Sequence, residues 1–264
     1  MIIMKKFYGI FLLSLFLIPL YAKEASQQIV RCKDLEIKLV SRHYWNMNSL
    51  DFAGVNLCRS RSYFGNVARF ECGWVGTGHK ENKIGEKELK VEFFADGKKF
   101  TPSGKAVSCE KFEMKKSSVL LDLHIAYTFT LTPGKLVERA KVTVLRDTNV
   151  KILYLFMHPW LAFFEQALCK NSDGTEEIIN FNEKSDTKTF IRKNLNSICY
   201  TANKEKIKAT TSVKTITPAP EGKEQYLFWN RGIDRKLYFQ PIKNQSLKAG
   251  TVFEYEMSVD IERM

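Results

Sequence analysis

The feature that most restricts the fold of this chain is a two-residue alternation. Val119, Leu121, Leu123, Ile125, Tyr127, Phe129 and Leu131 hold every second position, with Leu120, Asp122, His124, Ala126, Thr128 and Thr130 between them. Successive side chains of an extended strand point to opposite faces, so this set forms one apolar face of a half-buried strand. Around a helix the same set would be scattered. The spacing predicts one strand from Val119 to Leu131. The C-terminal segment behaves likewise, with Phe253, Tyr255, Met257, Val259 and Ile261 on one face and Glu254, Glu256, Ser258 and Asp260 on the other. Leu89, Val91 and Phe93 form a shorter copy.

Turn residues punctuate these runs. Asp96-Gly97 and Pro133-Gly134 predict hairpins, and Asp173-Gly174 and Ala249-Gly250 predict further turns. The apolar run Ile152-Leu153-Tyr154-Leu155-Phe156-Met157 reads as a strand buried on both faces. Leu161 to Leu168 is the one stretch read as helix, for about two turns. The predicted fold is therefore all-β, a large antiparallel β-sandwich with minimal helix. Residues 23–264 are read as one domain, without internal repeats or low-complexity tracts.

Residues 1–22 are read as a cleavable signal peptide. Lys5 and Lys6 precede an apolar run from Phe7 to Leu20, and the small residue Ala22 follows. That order of charged, apolar and small residues is the pattern of a secretory signal. Ala25 is a second candidate for the cleavage point, and an uncleaved anchor is the alternative. The mature protein is expected to be secreted or periplasmic, with no membrane span after signal cleavage. Loss of Lys5 and Lys6 takes the formal net charge from +12 to +10. A basic exported protein suits anionic partners, although scattered lysines also serve plain solubility. Six cysteines, Cys32, Cys58, Cys72, Cys109, Cys169 and Cys199, are an even count compatible with three disulfides. Buried free thiols are the alternative.

Two segments carry the candidate chemistry. Cys72-Gly73-Trp74-Val75-Gly76-Thr77-Gly78-His79-Lys80-Glu81 is a glycine-rich loop bearing an indole, an imidazole and a carboxylate. No helix follows it, so a nucleotide-phosphate loop is not expected. Met157-His158-Pro159-Trp160 ends the apolar strand with a second imidazole and indole. Imidazole serves acid-base chemistry near neutral pH, and indole faces suit the apolar faces of sugar rings. The expected pocket has His79, His158 and Glu81 as catalytic groups and Trp74, Trp160 and Arg139 as substrate-binding groups. Arg139 would pair with an acidic sugar. The plain alternatives are a structural hydrogen bond for His158, a core position for Trp160 and an exposed surface position for Arg139. No GxSxG, HExxH or Walker loop occurs, and no metal or cofactor is expected.

The pattern resembles the galactose-mutarotase-like β-supersandwich, the fold shared by aldose 1-epimerases and the sandwich domains of several polysaccharide lyases and glycosidases. The Gly78-His79 loop resembles the position of their first catalytic histidine. His158 follows 79 residues later at the end of an apolar strand, as their second histidine does. The ending Leu237-Tyr238-Phe239-Gln240-Pro241, with Leu247 to Tyr255 after it, is similar to their closing strands. Where those enzymes carry a glutamate base, Tyr238-Phe239-Gln240 supplies no carboxylate, and Met157-His158-Pro159 replaces their asparagine-histidine run. The resemblance implies a carbohydrate-active or carbohydrate-binding protein, and an anionic polysaccharide suits its charge. The alternative is a non-catalytic binding or structural module of the cell envelope. Nucleic acid is not an expected partner.

Overall fold

The computed structural model describes residues 26–59, 64–181, 188–221 and 224–264. The expected signal peptide at residues 1–22 lies outside the described residues. Strands follow one another in chain order, beginning with β1 (Gln27–Cys32), β2 (Leu35–Val40), β3 (Asn46–Phe52), β4 (Val55–Asn56), β5 (Gly65–Phe70), β6 (Gly73–Gly76) and β7 (His79–Lys80). Next come β8 (Lys87–Ala95), β9 (Lys98–Phe100), β10 (Val107–Ser108), β11 (Phe112–Leu120), β12 (Leu123–Thr132), β13 (Lys135–Val144) and β14 (Thr148–Leu161). The rest are β15 (Gln166–Asn171), β16 (Glu176–Asn180), β17 (Lys188–Arg192), β18 (Leu195–Ala202), β19 (Ile207–Thr217), β20 (Gln225–Asn230), β21 (Asp234–Leu247) and β22 (Val252–Arg263). Only two single 3-10 turns, Ser41–His43 and Glu81–Lys83, interrupt them among the described residues.

The strands form three sheets. One has the order β16-β15-β18-β19-β22-β13-β12-β11-β8-β9, the second β17-β20-β21-β14-β5-β6-β7, and the third β10-β1-β2-β3-β4. The ten- and seven-stranded sheets pack face to face. Phe239 on β21 meets Tyr255 on β22 with ring centroids 4.9 Å apart, and Trp160 on β14 meets Tyr200 on β18 at 5.6 Å. The expected C-terminal alternation holds: Phe253, Tyr255, Met257, Val259 and Ile261 are all buried, on a strand flanked by β13 and β19. The hairpins at Asp96-Gly97 and Pro133-Gly134 form as expected, with Phe93 opposite Phe100 and Thr132 opposite Lys135.

Two expectations are corrected. The alternation from Val119 to Leu131 spans a hairpin rather than one strand, because β11 ends at Leu120 and β12 begins at Leu123. Leu121 adopts φ 56°, and the Asp122 carboxylate is held by Arg146 and by the Thr148 hydroxyl. A two-residue turn makes Leu120 the partner of Leu123, so the buried face of β11 uses even positions and that of β12 odd ones. The segment Leu161–Leu168 is not helical. Leu161 ends β14 and Gln166 starts β15, whose Ala167 and Cys169 are fully buried. Pairing with β16 and β18 outweighs the weak local helix signal. None of the six cysteines is joined in a disulfide in the structure, and the Sγ atoms of Cys32 and Cys109 lie 3.6 Å apart.

The strand that decides the site is β14. Its pairing with β5 and β21 shifts register around Leu155 and Phe156, and Phe156 sits at φ 54°. This bulge leaves Leu155 and Phe156 both in the core, so the residue facing the other side changes from the even-numbered Tyr154 before it to the odd-numbered Met157 after it. The backbone N–H released at Phe156 donates to Asn66 Oδ1 at 3.3 Å. The Asn66 carbonyl in turn accepts from the Thr77 hydroxyl at 2.7 Å. Asn66 thus braces both the bulge and the β6–β7 turn. Asn66→Ala strips the bulge of its acceptor, and we expect a loss of about 2 kcal/mol in the unfolding free energy measured by urea titration.

Candidate functional site

The seven-stranded sheet presents its second face to a cleft of about 360 Å³. That volume falls in the range of small-ligand sites, about 300–1,000 Å³. Every strand of the sheet contributes. Thr189 comes from β17, Leu227 and Trp229 from β20, Lys236 and Tyr238 from β21, Tyr154 and Met157 from β14, Val67 from β5, Trp74 from β6 and His79 from β7. Val67, Met157 and Tyr238 form an apolar cluster of their own with Trp74, Tyr154, Leu227 and Trp229 packed against it, separate from the main core. Alternation within β21 makes this possible: Lys236 and Tyr238 face the cleft while Leu237 and Phe239 fill the core.

The aromatic rings form a row across the strands. His79 lies 5.8 Å from Trp74, Trp74 stacks on Tyr154 at 5.8 Å, and Tyr154 lies 4.6 Å from Tyr238. Two guanidinium groups edge the row, Arg69 at 5.7 Å from the Trp74 centroid and Arg231 at 4.8 Å from that of Trp229. The β6–β7 hairpin that carries Trp74 and His79 needs its glycines. Gly76 has φ 108°, and a Cβ there would lie 2.6 Å from the Asn66 carbonyl oxygen.

Lys236 is the described lysine that lines the cleft. It is only 7 % exposed, and its Nζ lies 5.1 Å from the Tyr238 ring centroid. Burial lowers its pKa to about 8, the charge of Arg231 adds to that, and Asp234 opposes it. Asp234 itself is engaged by Arg231, with Arg59 3.8 Å away. Burial also lowers the pKa of His79, against the opposing effect of Glu81. Both tyrosine hydroxyls, Tyr154 and Tyr238, are raised by burial and stay protonated. Among the described residues, no carboxylate lines the cleft and no group of three His, Cys, Asp or Glu could hold a metal ion.

The six residues expected at one pocket do not come together. Trp74 and His79 line the cleft. Glu81 is exposed beside it, where its carboxylate accepts the Trp74 backbone N–H at 3.0 Å. His158 and Trp160 are 1 % and 0 % exposed and face the core. Past the bulge, Met157 points outward, so positions 158 and 160 point inward together. Nε2 of His158 is hydrogen-bonded to the Glu138 carboxylate, which also accepts from the Tyr127 hydroxyl. Arg139 lies on β13 of the ten-stranded sheet, half exposed and paired with Glu254. It is a surface residue of the other sheet. The cleft residues that sequence reasoning missed are Tyr154, Trp229, Lys236 and Tyr238. The alternation of Lys236, Leu237, Tyr238 and Phe239 was the available signal for two of them.

By sequence, no family model matches the chain, and no curated protein does. By structure, it is similar to a galactose mutarotase-like protein from Lactobacillus casei, with a TM-score of 0.51 and 10 % identity over 89 % of this chain and 99 % of that one. A galactose mutarotase-like protein from Clostridium acetobutylicum gives 0.50 and 8 % over 88 % and 94 %. An α-galactosidase of glycoside hydrolase family 36 from Geobacillus stearothermophilus, in complex with stachyose, gives 0.50 and 8 % over 90 % of this chain but 41 % of its own. The chain has the galactose-mutarotase-like fold, a large antiparallel β-sandwich.

The two imidazoles therefore separate experimentally. His158→Ala leaves Glu138 with one buried partner fewer and opens a cavity, and we expect it to cost about 3 kcal/mol of stability. His79→Ala, on the cleft wall, should change the same unfolding free energy by less than about 1 kcal/mol.

Proposed function

We propose that the cleft binds carbohydrate and that its preferred ligand is an acidic sugar chain. The carrying observation is a buried amine, Lys236, that has no carboxylate partner among the described residues and lies in a wall of aromatic rings. Pyranose C–H groups carry partial positive charge and are attracted to the negative faces of such rings, which here include Trp74, Tyr154, Trp229 and Tyr238. Lys236 offers a poorly solvated positive charge to a sugar carboxylate or sulfate, where a charge-assisted hydrogen bond is strong. It takes the part first expected of Arg139. The row lies over the five strands from β7 to β21, with ring-to-ring steps of 5.8, 5.8 and 4.6 Å, which suits a short run of sugar units lying across the sheet. A sandwich fold shared with mutarotase-like and galactosidase structures supports a carbohydrate setting.

Binding is favoured over hydrolysis. A glycosidase needs two carboxylates flanking the scissile bond, and the described lining offers none. With His158 sealed inside, His79 is left as the one imidazole of the cleft. This supports a binding module of the cell envelope or exterior, delivered there by the amino-terminal signal.

Two outcomes follow. Calorimetry with trigalacturonate and neutral maltotriose should show binding of the acidic trimer that weakens about tenfold or more in Trp74→Ala and in Tyr238→Ala. Its affinity should fall as pH rises from 7 through about 8, because Lys236 sheds the proton that attracts the anion. Lys236→Met should flatten that pH dependence, and equal binding of both trimers would remove the acidic preference. Export predicts oxidation. Protein purified from cells that express the full chain should show a Cys32–Cys109 disulfide in non-reducing peptide maps, since those thiols already face each other, and free thiols in that protein would count against export.

A further inference from the structure

The amine of Lys236 has a second capacity that goes beyond the glycan reading. We infer that Lys236 is a carbonyl-condensing site, whose Nζ forms an imine with the aldehyde of a small hydroxyaldehyde or ring-opened aldose admitted to the cleft. Three observations lead there. The amine is 7 % exposed, yet it lines a cleft of about 360 Å³ that a small aldehyde can enter. Among the described residues it has no ion-pair partner: Asp234, the acidic group that acts on it, is engaged by Arg231. Its Nζ lies 5.1 Å from the Tyr238 ring centroid, its strand partner is Trp229, and Tyr154 and Met157 line the same apolar wall, a setting that disfavours an ammonium ion.

Only an uncharged amine attacks a carbonyl, and burial beside Arg231 favours that form. The nitrogen lone pair adds to the carbonyl carbon and the C=O π pair moves to oxygen. Two protons leave the nitrogen for that oxygen, which departs as water, and a C=N bond remains. His79 lines the same cleft and is kept uncharged near neutral pH by burial, so it can accept and return a proton without adding positive charge to the site. An exposed lysine such as Lys248 has the opposite setting, with Asp147 2.8 Å from its Nζ favouring the ammonium form.

The test is competitive labelling of the mature protein with glycolaldehyde and sodium cyanoborohydride, which reduces the imine to a stable hydroxyethyl amine. Peptide mass mapping then compares Lys236 with the exposed Lys98 and Lys248 in the same molecule. The expected result at pH 7.4 is modification of Lys236 at least about tenfold faster than either, because an amine with a lowered pKa is far more often uncharged there. That preference should narrow by pH 10 and vanish in guanidinium chloride. Modification of Lys236 no faster than the exposed lysines, or a preference that survives unfolding, overturns the inference. No glycan is used, so the outcome is independent of whether the cleft binds acidic sugars.

Discussion

The facing of β14 depends on one left-handed residue and one amide. An extended strand of fourteen residues would alternate without interruption, but Phe156 breaks the count. A non-glycine residue at positive φ costs on the order of 1 kcal/mol, and a bulge also orphans a backbone donor. Asn66 offsets the second cost by accepting that donor. The same residue accepts the Thr77 hydroxyl through its carbonyl, and Asn46 donates to Thr77 Oγ1 at 3.3 Å. Strand β14 and the β6–β7 hairpin are therefore fixed to a common point on β5. The aromatic row from His79 to Tyr238 inherits its geometry from that bracing.

Polar groups also cross the interior between sheets. Lys116 on β11 pairs with Glu86 at 3.0 Å, both side chains nearly without exposure, and donates to Asn46 Oδ1 at 2.8 Å. Glu138 on β13 joins Tyr127 to His158 on β14. Such buried pairs add little net stability, because desolvation offsets most of the attraction, but breaking one leaves a charge that the interior cannot solvate. Their effect is to penalise any register that separates the partners. A one-residue slip of β14 would leave Glu138 facing Met157 or Pro159 in place of an imidazole. That penalty holds His158 inward and keeps the cleft side of β14 for Tyr154 and Met157.

Periodicity made much of the fold legible. A period of two needs no tertiary knowledge, and the C-terminal strand and the Asp96-Gly97 and Pro133-Gly134 hairpins follow from it directly. The hairpin at Leu121-Asp122 did not, because a turn of two residues preserves alternation in sequence while reversing the chain. The site was legible in part. Trp74 and His79 sit on a glycine-rich hairpin whose composition signals a special backbone. His158 and Trp160 were placed on the wrong face, since a bulge changes which parity points outward and nothing in the sequence around Phe156 announces it. Arg139 fails for a longer-range reason: the order of strands assigns β13 to the other sheet. Trp229 and Tyr238 look like core residues in sequence, because a strand with a second apolar face reads as one buried on both sides.

That second apolar face is informative in itself. Seven strands expose a face whose lining is almost wholly aromatic and aliphatic, apart from Thr189, His79 and Lys236. A sheet face meant only for water would carry polar side chains at those positions, as β13 and β22 do with Arg139, Lys141, Glu254 and Glu256. An apolar face meant for another sheet or a protein partner would not retain a lysine near its middle, since burying that amine beneath hydrocarbon leaves its donors unmet. A ligand that is apolar on one side and rich in hydroxyl or anionic oxygen on the other satisfies both halves of the surface at once. A sugar ring has that division of character, and the amine stands where its oxygens can be reached.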